Sequence, residues 1–210
     1  MHKEADEAKI PNLSIEYDPR GTPDLYVSQT ELIPTTPIVQ ADKAVLVGVI
    51  GALAPTPFRL VRHSLRVVVR NTGPAAAERC TAELKITETS LPAVRRPSAE
   101  PKGLLWETSQ DTLQDISAVA GHATLNVIFS DARLITERQP NEANPVYALV
   151  ATPDSIRMIP NGIIRAQDGF GRGEFVAELT VIARNGSYLS ARFRVRVTND
   201  WQQLDMDKIT

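Results

Sequence analysis

Two pairs of segments with alternating apolar and polar residues constrain the fold of this chain more than any other feature. The first pair spans residues 64–88, SLRVVVRNTGPAAAERCTAELKITE, and the second spans residues 174–198. The first contains a turn at Asn71-Thr72-Gly73-Pro74, made of residue types that tolerate a positive φ or fix φ. The second is joined by Asn185-Gly186, a dipeptide favoured in two-residue hairpins. Because a period of two is the pattern of half-buried strands, we predict an all-β protein.

The same alternation predicts which side chains form the core. The expected inward residues are Leu65, Val67, Val69, Cys80, Ala82, Leu84 and Ile86 in the first pair, and Phe175, Ala177, Leu179, Val181, Ala183, Ala191, Phe193, Val195 and Val197 in the second. Further strands are predicted at Leu13, Ile15 and Tyr17, at Leu104-Leu105-Trp106 with the indole over the core, and at Ala123, Leu125, Val127 and Phe129. Two sheets stacked face to face bury all of these residues, so we predict an antiparallel Ig-like β-sandwich with an N-terminal extension.

Length and composition suit one large β domain. We divide the 210 residues into an N-terminal extension with an edge strand (1–42), the sandwich (43–200) and a C-terminal tail (201–210). A chain of this length buries enough surface to fold without a metal or a disulfide. Its single cysteine, Cys80, cannot form an internal disulfide, and its place in the alternation makes it a small core residue.

Composition and motifs argue against several functional classes. The net charge of −2 lacks the basic excess typical of nucleic-acid binders, so no nucleic-acid partner is expected. The three histidines, His2, His63 and His122, are far apart, and no G-x-S-x-G motif is present. The glycine-rich stretch 168–174 precedes a predicted strand rather than a helix, unlike a phosphate-binding loop. We therefore predict no catalytic residue, no metal site and no cofactor, and expect that the chain is not an enzyme.

Four arginines are the candidate binding residues. Arg192, Arg194 and Arg196 alternate along the last strand of the closing hairpin, and Arg184 lies on the strand before it. They could form a stripe that binds an anion or a partner. Alternatively, they belong to a solvated face whose cross-strand partners are acidic residues such as Glu174 and Glu178. The long segments 89–103 and 130–172 are further candidate contact regions.

The start of the sequence bears on the cellular compartment of the protein. Residues 1–10, MHKEADEAKI, contain no apolar stretch and so no signal peptide, which together with the single cysteine slightly favours the cytoplasm. The apolar run 44–55 is shorter than the ~20 residues of a spanning helix. A membrane association is expected only through an upstream anchor absent from this chain.

The run LRVVVRNTGPAAAERCTAELKI resembles bacterial cell-adhesion-related (CARDB-like) domains and related Ig-like modules. The later segments Leu105-Trp106, Asp115-Ile116 before Gly121, 123–129 and Gly173-Glu174-Phe175 fit the same scheme, so the resemblance covers residues 60–200. It implies the fold and a binding or scaffolding role, often beside a membrane segment. It carries over no catalytic residue.

We expect a non-enzymatic protein-interaction or scaffolding module whose partner is another protein, as the soluble domain of a larger or membrane-associated bacterial protein. One alternative is a carbohydrate-binding domain, although only 5% of the residues are aromatic. Another is a hydrolase with a site in 130–172. Exposed aromatic surface would favour carbohydrate binding, and a cleft joining His122 to carboxylates with shifted pKa values would favour the hydrolase.

Overall fold

Antiparallel strands make up most of the chain that the computed structural model describes, which comprises residues 10–32, 58–90, 100–135, 147–152, 173–198 and 204–209. The strands are β1 (Leu13–Glu16), β2 (Val27–Leu32), β3 (Phe58–Asn71), β4 (Ala77–Thr89), β5 (Lys102–Gly103), β6 (Gln114–Ile116), β7 (Gly121–Ile135), β8 (Tyr147–Val150), β9 (Gly173–Ile182), β10 (Tyr188–Val197) and β11 (Asp205–Ile209). A single helical turn, α1 (Pro23–Tyr26), separates β1 from β2. The strands form two sheets, which confirms the predicted all-β sandwich.

The first sheet is built around β3 and β7, which pair along almost their whole length. β8 pairs with β7, and both β1 and β2 lie along the other edge of β3. β1 pairs with residues 68–71 of β3 and β2 with residues 60–65. Only Arg66 and Val67 of β3 lie between these stretches, so residues 17–26 must leave the edge as an excursion that contains α1.

The second sheet has the order β11-β10-β9-β4, with β5 and β6 both on the outer edge of β4. The chain then changes sheets within a few residues. Lys102 is opposite Leu84 of β4, whereas Trp106 forms a bridge with Leu125 of β7 in the first sheet. Residues 102–107 therefore join the two sheets at this side of the sandwich. Residues 205–209, in the predicted C-terminal tail, form β11 and extend the sheet beyond β10.

The core lies between the sheets and contains nearly all of the residues that the alternation placed there. Leu65, Val67, Leu179, Phe193 and Val195 are each at most 1% exposed, while Ala191 is half-buried. Burying a large apolar side chain stabilises the fold by about 1.5–3 kcal/mol. The inward faces predicted for these two strand pairs are therefore confirmed.

Trp106 and Cys80 are both buried in this core, as predicted for each, and they are in contact there. Trp106 is fully buried, and its indole Nε1 donates a hydrogen bond of 3.1 Å to the backbone carbonyl of Cys80. Burial, with a smaller contribution from Asp115, raises the pKa of the Cys80 thiol from 9.0 to about 11. Cys80 is therefore a protonated core residue at neutral pH.

Phe129 departs from the prediction. It is 1% exposed, but it is opposite Ser64 and faces away from the interior between the sheets. On that outer side, the guanidinium carbon of Arg62 lies 3.9 Å from the centroid of the Phe129 ring. The reason is a bulge: Leu65 pairs with Ile128, and Arg66 with Asn126, so one extra residue of β7 reverses the alternation.

One end of the sandwich is held together by Asn71, which is fully buried. Its side-chain oxygen accepts hydrogen bonds from the backbone nitrogens of Asn12 (3.2 Å) and Gly73 (3.0 Å). Its Nδ2 donates to the carbonyl oxygens of Ala75, Ile116 and Ser117 at 2.7, 3.4 and 3.2 Å. The predicted turn is present, but no residue from Asn71 to Pro74 has a positive φ, so it forms without the left-handed conformation that Asn and Gly tolerate. The asparagine is needed for its amide.

Neighbouring turns join the same end. The backbone of Thr72 donates to the carbonyl of Asn12, and the hydroxyl of Ser187 donates to the carbonyl of Pro11. The Asn185 side chain donates to the carbonyl of Ala76 at 2.8 Å. We call this end, comprising residues 11–12, 71–76, 116–120 and 183–187, the turn pole. In its hairpin turn, Gly186 has a φ of +96° and its nitrogen donates to the carbonyl of Ala183, whereas Asn185 has no positive φ. The predicted hairpin therefore forms, but not with the two-residue Asn-Gly turn, which needs a positive φ at both residues.

Candidate functional site

Arg192, Arg194 and Arg196 lie together on the outer face of the second sheet. All three belong to β10, where they alternate with the buried residues Phe193 and Val195. β10 lies between β9 and β11, so acidic residues of both neighbours can reach the arginines. We call this surface, with its partners Glu88, Glu174, Asp205 and Asp207, the arginine face.

Arg196 is the centre of the arginine face. Its Nη1 lies 2.8 Å from Asp205, its Nη2 lies 2.8 Å from Asp207, and its Nε lies 3.4 Å from Glu174. Partial burial lowers the pKa of its guanidinium, but attraction by Asp207, Asp205 and Glu174 outweighs this and raises the pKa above its ordinary value. One side chain thus connects β9, β10 and β11.

The other two arginines are paired as well. Arg194 Nε lies 3.2 Å from Glu174, which confirms Glu174 as a cross-strand partner. Arg192 is paired with Glu88 of β4 at 2.7 Å, whereas Glu178 accepts a hydrogen bond of 2.9 Å from Ser190. A register shift between Ile86 and Glu88 turns Glu88 onto this face, which the regular alternation could not show.

The balance of charge on the arginine face is slightly negative. Three guanidinium groups contact four carboxylates, which leaves a net charge of −1. The arginine side chains remain 40–50% exposed and the carboxylates 46–65% exposed. Exposed pairs of this kind contribute about 0–1 kcal/mol each to stability. The face is therefore an accessible surface of mixed charge, and an isolated polyanion has little to gain from binding it.

Arg184 lies apart from the other three arginines. It follows the end of β9, in the hairpin turn at the turn pole, where its backbone nitrogen donates to the carbonyl of Glu78 at 2.8 Å. Its side chain is exposed. Since Arg196 is opposite Glu174 at the start of β9, the full length of that strand separates the two residues. The structure therefore groups three of the four predicted residues.

A small apolar patch on the same sheet was not predicted. Ile182 of β9 and Tyr188 of β10 are paired across the strands and are 42% and 66% exposed. Among the aromatic residues whose side chains are described, Tyr188 is the one that is exposed. The sequence signal for this patch was Ile182, an apolar residue at an outward position of the alternation, at the end of β9.

Arg66 is largely buried and contacts two other segments of the chain. Its side chain is only 11% exposed and its Nη1 lies 2.6 Å from Glu107. Its Nη2 donates to the backbone carbonyls of Asp24 and Val27 at 2.5 and 3.4 Å. The residue therefore ties the excursion 17–26 and the sheet-changing segment 102–107 to β3.

The predicted sites other than the arginines lie partly within and partly outside the described residues. No group of three or more His, Cys, Asp or Glu residues in this part of the chain is placed to hold a metal ion. His122 is exposed and is opposite Arg70 of β3. Most of the predicted contact regions, namely 91–99, 136–146 and 153–172, lies outside the described residues, as does the apolar run 44–55. None of the described residues forms a helix that is long and apolar enough to cross a membrane.

Comparison of the chain with protein-family models, with curated proteins and with solved structures finds no match.

Proposed function

We propose that this chain is a non-enzymatic protein-interaction or scaffolding module that contacts a protein partner through the arginine face. The supporting observation is the dense, exposed set of opposite charges centred on Arg196, which joins three neighbouring strands. Complementary charge patterns give protein interfaces their specificity and their association rate. A protein surface carries both signs of charge and can pair with both, whereas nucleic acid carries only the sign that is already in excess here.

Backbone hydrogen bonds and a buried neighbouring side chain also hold the strands of the arginine face in place. Glu174 exchanges hydrogen bonds with Ser90: the backbone nitrogen of Ser90 donates to the carbonyl of Glu174 at 2.9 Å, and the nitrogen of Glu174 donates to the Ser90 hydroxyl at 3.0 Å. Met206 of β11, next to Asp205 and Asp207, is 1% exposed in the core. A face fixed in this way loses little conformational entropy when a partner binds.

The strand order supports the Ig-like subclass within this proposal. β1, β3 and β7 are neighbours in one sheet, and β4, β9 and β10 are neighbours in the other. In Ig domains, strands A, B and E adjoin in one sheet, and C, F and G in the other. The agreement is partial, because β8 adjoins β7 as strand D adjoins E, but it follows β7 in the chain whereas D precedes E. Together with the CARDB-like sequence resemblance, this partial agreement favours an Ig-like module that is the soluble domain of a larger bacterial protein.

Carbohydrate binding is the second candidate, because of Tyr188. The residue is 66% exposed on the outer face of the sheet, and the neighbouring Ser190 and Glu178 supply hydrogen-bonding groups. Aromatic faces of this kind can stack on a sugar ring. Tyr188→Ala distinguishes the candidates: loss of binding to a glycan array supports carbohydrate binding, and unchanged retention of a protein partner supports the arginine face.

A set of matched variants tests the proposal. The partner captured by the wild-type chain is purified, and its affinity is measured calorimetrically for the triple variant Arg192→Ser, Arg194→Ser, Arg196→Ser. The control is Arg184→Ser, which removes an exposed arginine at the other end of β9. We expect the triple variant to lose the partner with a nearly unchanged melting temperature and the control to retain it. Equal affinities of the triple variant and the wild type would refute the proposal.

A further inference from the structure

We propose that Asn185 is a site of spontaneous deamidation and that opening of the turn pole controls its rate. In this reaction the backbone nitrogen of Gly186 attacks the side-chain carbonyl carbon of Asn185. A new C–N bond closes a succinimide ring, the original bond to the amide nitrogen breaks, and ammonia leaves with the proton lost by the Gly186 nitrogen. Water then opens the ring to aspartate or isoaspartate. A glycine in the second position favours the attack because no side chain shields its nitrogen.

The folded structure holds both reacting groups apart. The Gly186 nitrogen donates a hydrogen bond of 3.1 Å to the carbonyl of Ala183. The Asn185 amide faces the β3–β4 turn, where its Nδ2 donates to Ala76 at 2.8 Å and its Oδ1 accepts from the Glu78 nitrogen at 3.4 Å. The nucleophile and the carbonyl carbon can meet only after these bonds break.

Breaking them requires the turn pole to open. The hairpin turn 183–187 is attached to the N-terminal segment through Ser187 and Pro11, and that segment is attached to the β3–β4 turn through Asn12 and Thr72. Local openings of this kind need less free energy than global unfolding. The rate at Asn185 therefore reports how often this end of the sandwich opens.

The product cannot restore the original contacts. A carboxylate at position 185 lacks the donor that bonds Ala76, and isoaspartate adds a methylene to the main chain of the turn. Deamidation is therefore an irreversible loosening of the turn pole. This inference is independent of the arginine face, because none of its contacts involves that surface.

Peptide mass spectrometry of the full chain, incubated at mildly alkaline pH in buffer and in unfolding urea, tests the proposal. We expect Asn185 to deamidate about tenfold or more slowly in the folded chain, since at least two hydrogen bonds must first break. Asn12 is an internal control: because the bulky Leu13 follows it, Asn12 should deamidate more slowly than Asn185 in urea. Equal rates at Asn185 in buffer and urea, or no reaction there in urea, would overturn the proposal.

Two variants separate local from global opening. Thr72→Ala removes contacts within the turn pole, whereas Met206→Ala destabilises the core at the opposite edge strand. Urea is added to bring both to the same free energy of unfolding. Deamidation that is faster in Thr72→Ala supports control by the turn pole, and equal rates would show that only global unfolding matters.

Discussion

The side-chain oxygen of Asn71 accepts a hydrogen bond from the backbone nitrogen of Asn12, 3.2 Å away, although 59 positions separate the two residues in the chain. The same amide also bonds the β3–β4 turn and the residues at the end of β6. One buried polar group therefore fixes three chain segments. Its removal leaves several buried backbone groups without partners.

We expect Asn71→Ala to lower the free energy of unfolding by about 3 kcal/mol or more, because each buried group left unpaired costs about 1–3 kcal/mol. Urea denaturation measures the change. The control is Thr72→Ala, whose hydroxyl bonds are exposed and whose loss should cost less than about 1 kcal/mol. Similar losses in both variants would contradict the role assigned to Asn71.

Two glycines make a matched pair for the close approach of the N-terminal segment. A Cβ at Gly73 would clash with the backbone nitrogen of Asn12, whereas a Cβ at Gly103 meets nothing within 4 Å. Gly73→Ala should therefore cost at least about 1–3 kcal/mol, the usual effect of overpacking. Gly103→Ala should change stability by less than about 0.5 kcal/mol. A neutral Gly73→Ala, measured by thermal unfolding, would count against this packing.

Val119 adopts a backbone conformation that suits glycine. Its φ is +52°, and its side chain is 75% exposed. The left-handed conformation costs an L-residue about 1–2 kcal/mol, so Val119→Gly should raise the free energy of unfolding by up to about 1 kcal/mol. Ala118→Gly is the control, because Ala118 has no positive φ and should only lose stability. The prediction fails if both variants are less stable than the wild type.

Cys80 predicts a pH dependence. Its pKa is raised on folding from 9.0 to about 11, so its contribution to stability is complete below pH 9 and is lost as the pH rises toward 11. The loss should be on the order of 2 kcal/mol. Urea unfolding of the wild type and of Cys80→Ala between these pH values measures it. The wild type should lose more stability than the variant; parallel curves would show that Cys80 does not titrate differently on folding.

The core could be predicted from the sequence because burial between two sheets imposes a period of two. The rule holds for residues such as Leu65 and Leu179, because successive side chains in a regular strand point to opposite faces of the sheet. It failed at Phe129, and it missed Glu88, because a single extra residue in a bulge reverses the alternation. Bulges of this kind leave no clear mark in the pattern of hydrophobic residues.

The candidate site was predictable only in part, for a similar reason. Alternation placed Arg192, Arg194 and Arg196 on one face, and proximity in sequence added Arg184. The position of Arg184 depends on where β9 ends and the turn begins. Likewise, the burial of Arg66 depends on the excursion 17–26 and on Glu107, which reach it from distant parts of the chain. Contacts between distant segments are set by the tertiary fold and not by local spacing.

Amide hydrogen exchange of the chain, free and with its purified protein partner, tests most directly whether the arginine face is the contact surface. We predict slower exchange on binding in β10 and β11, residues 188–197 and 205–209. The turn pole should be unaffected. Protection confined to residues 71–76, 116–120 and 183–187, with none in β10 or β11, would contradict the account.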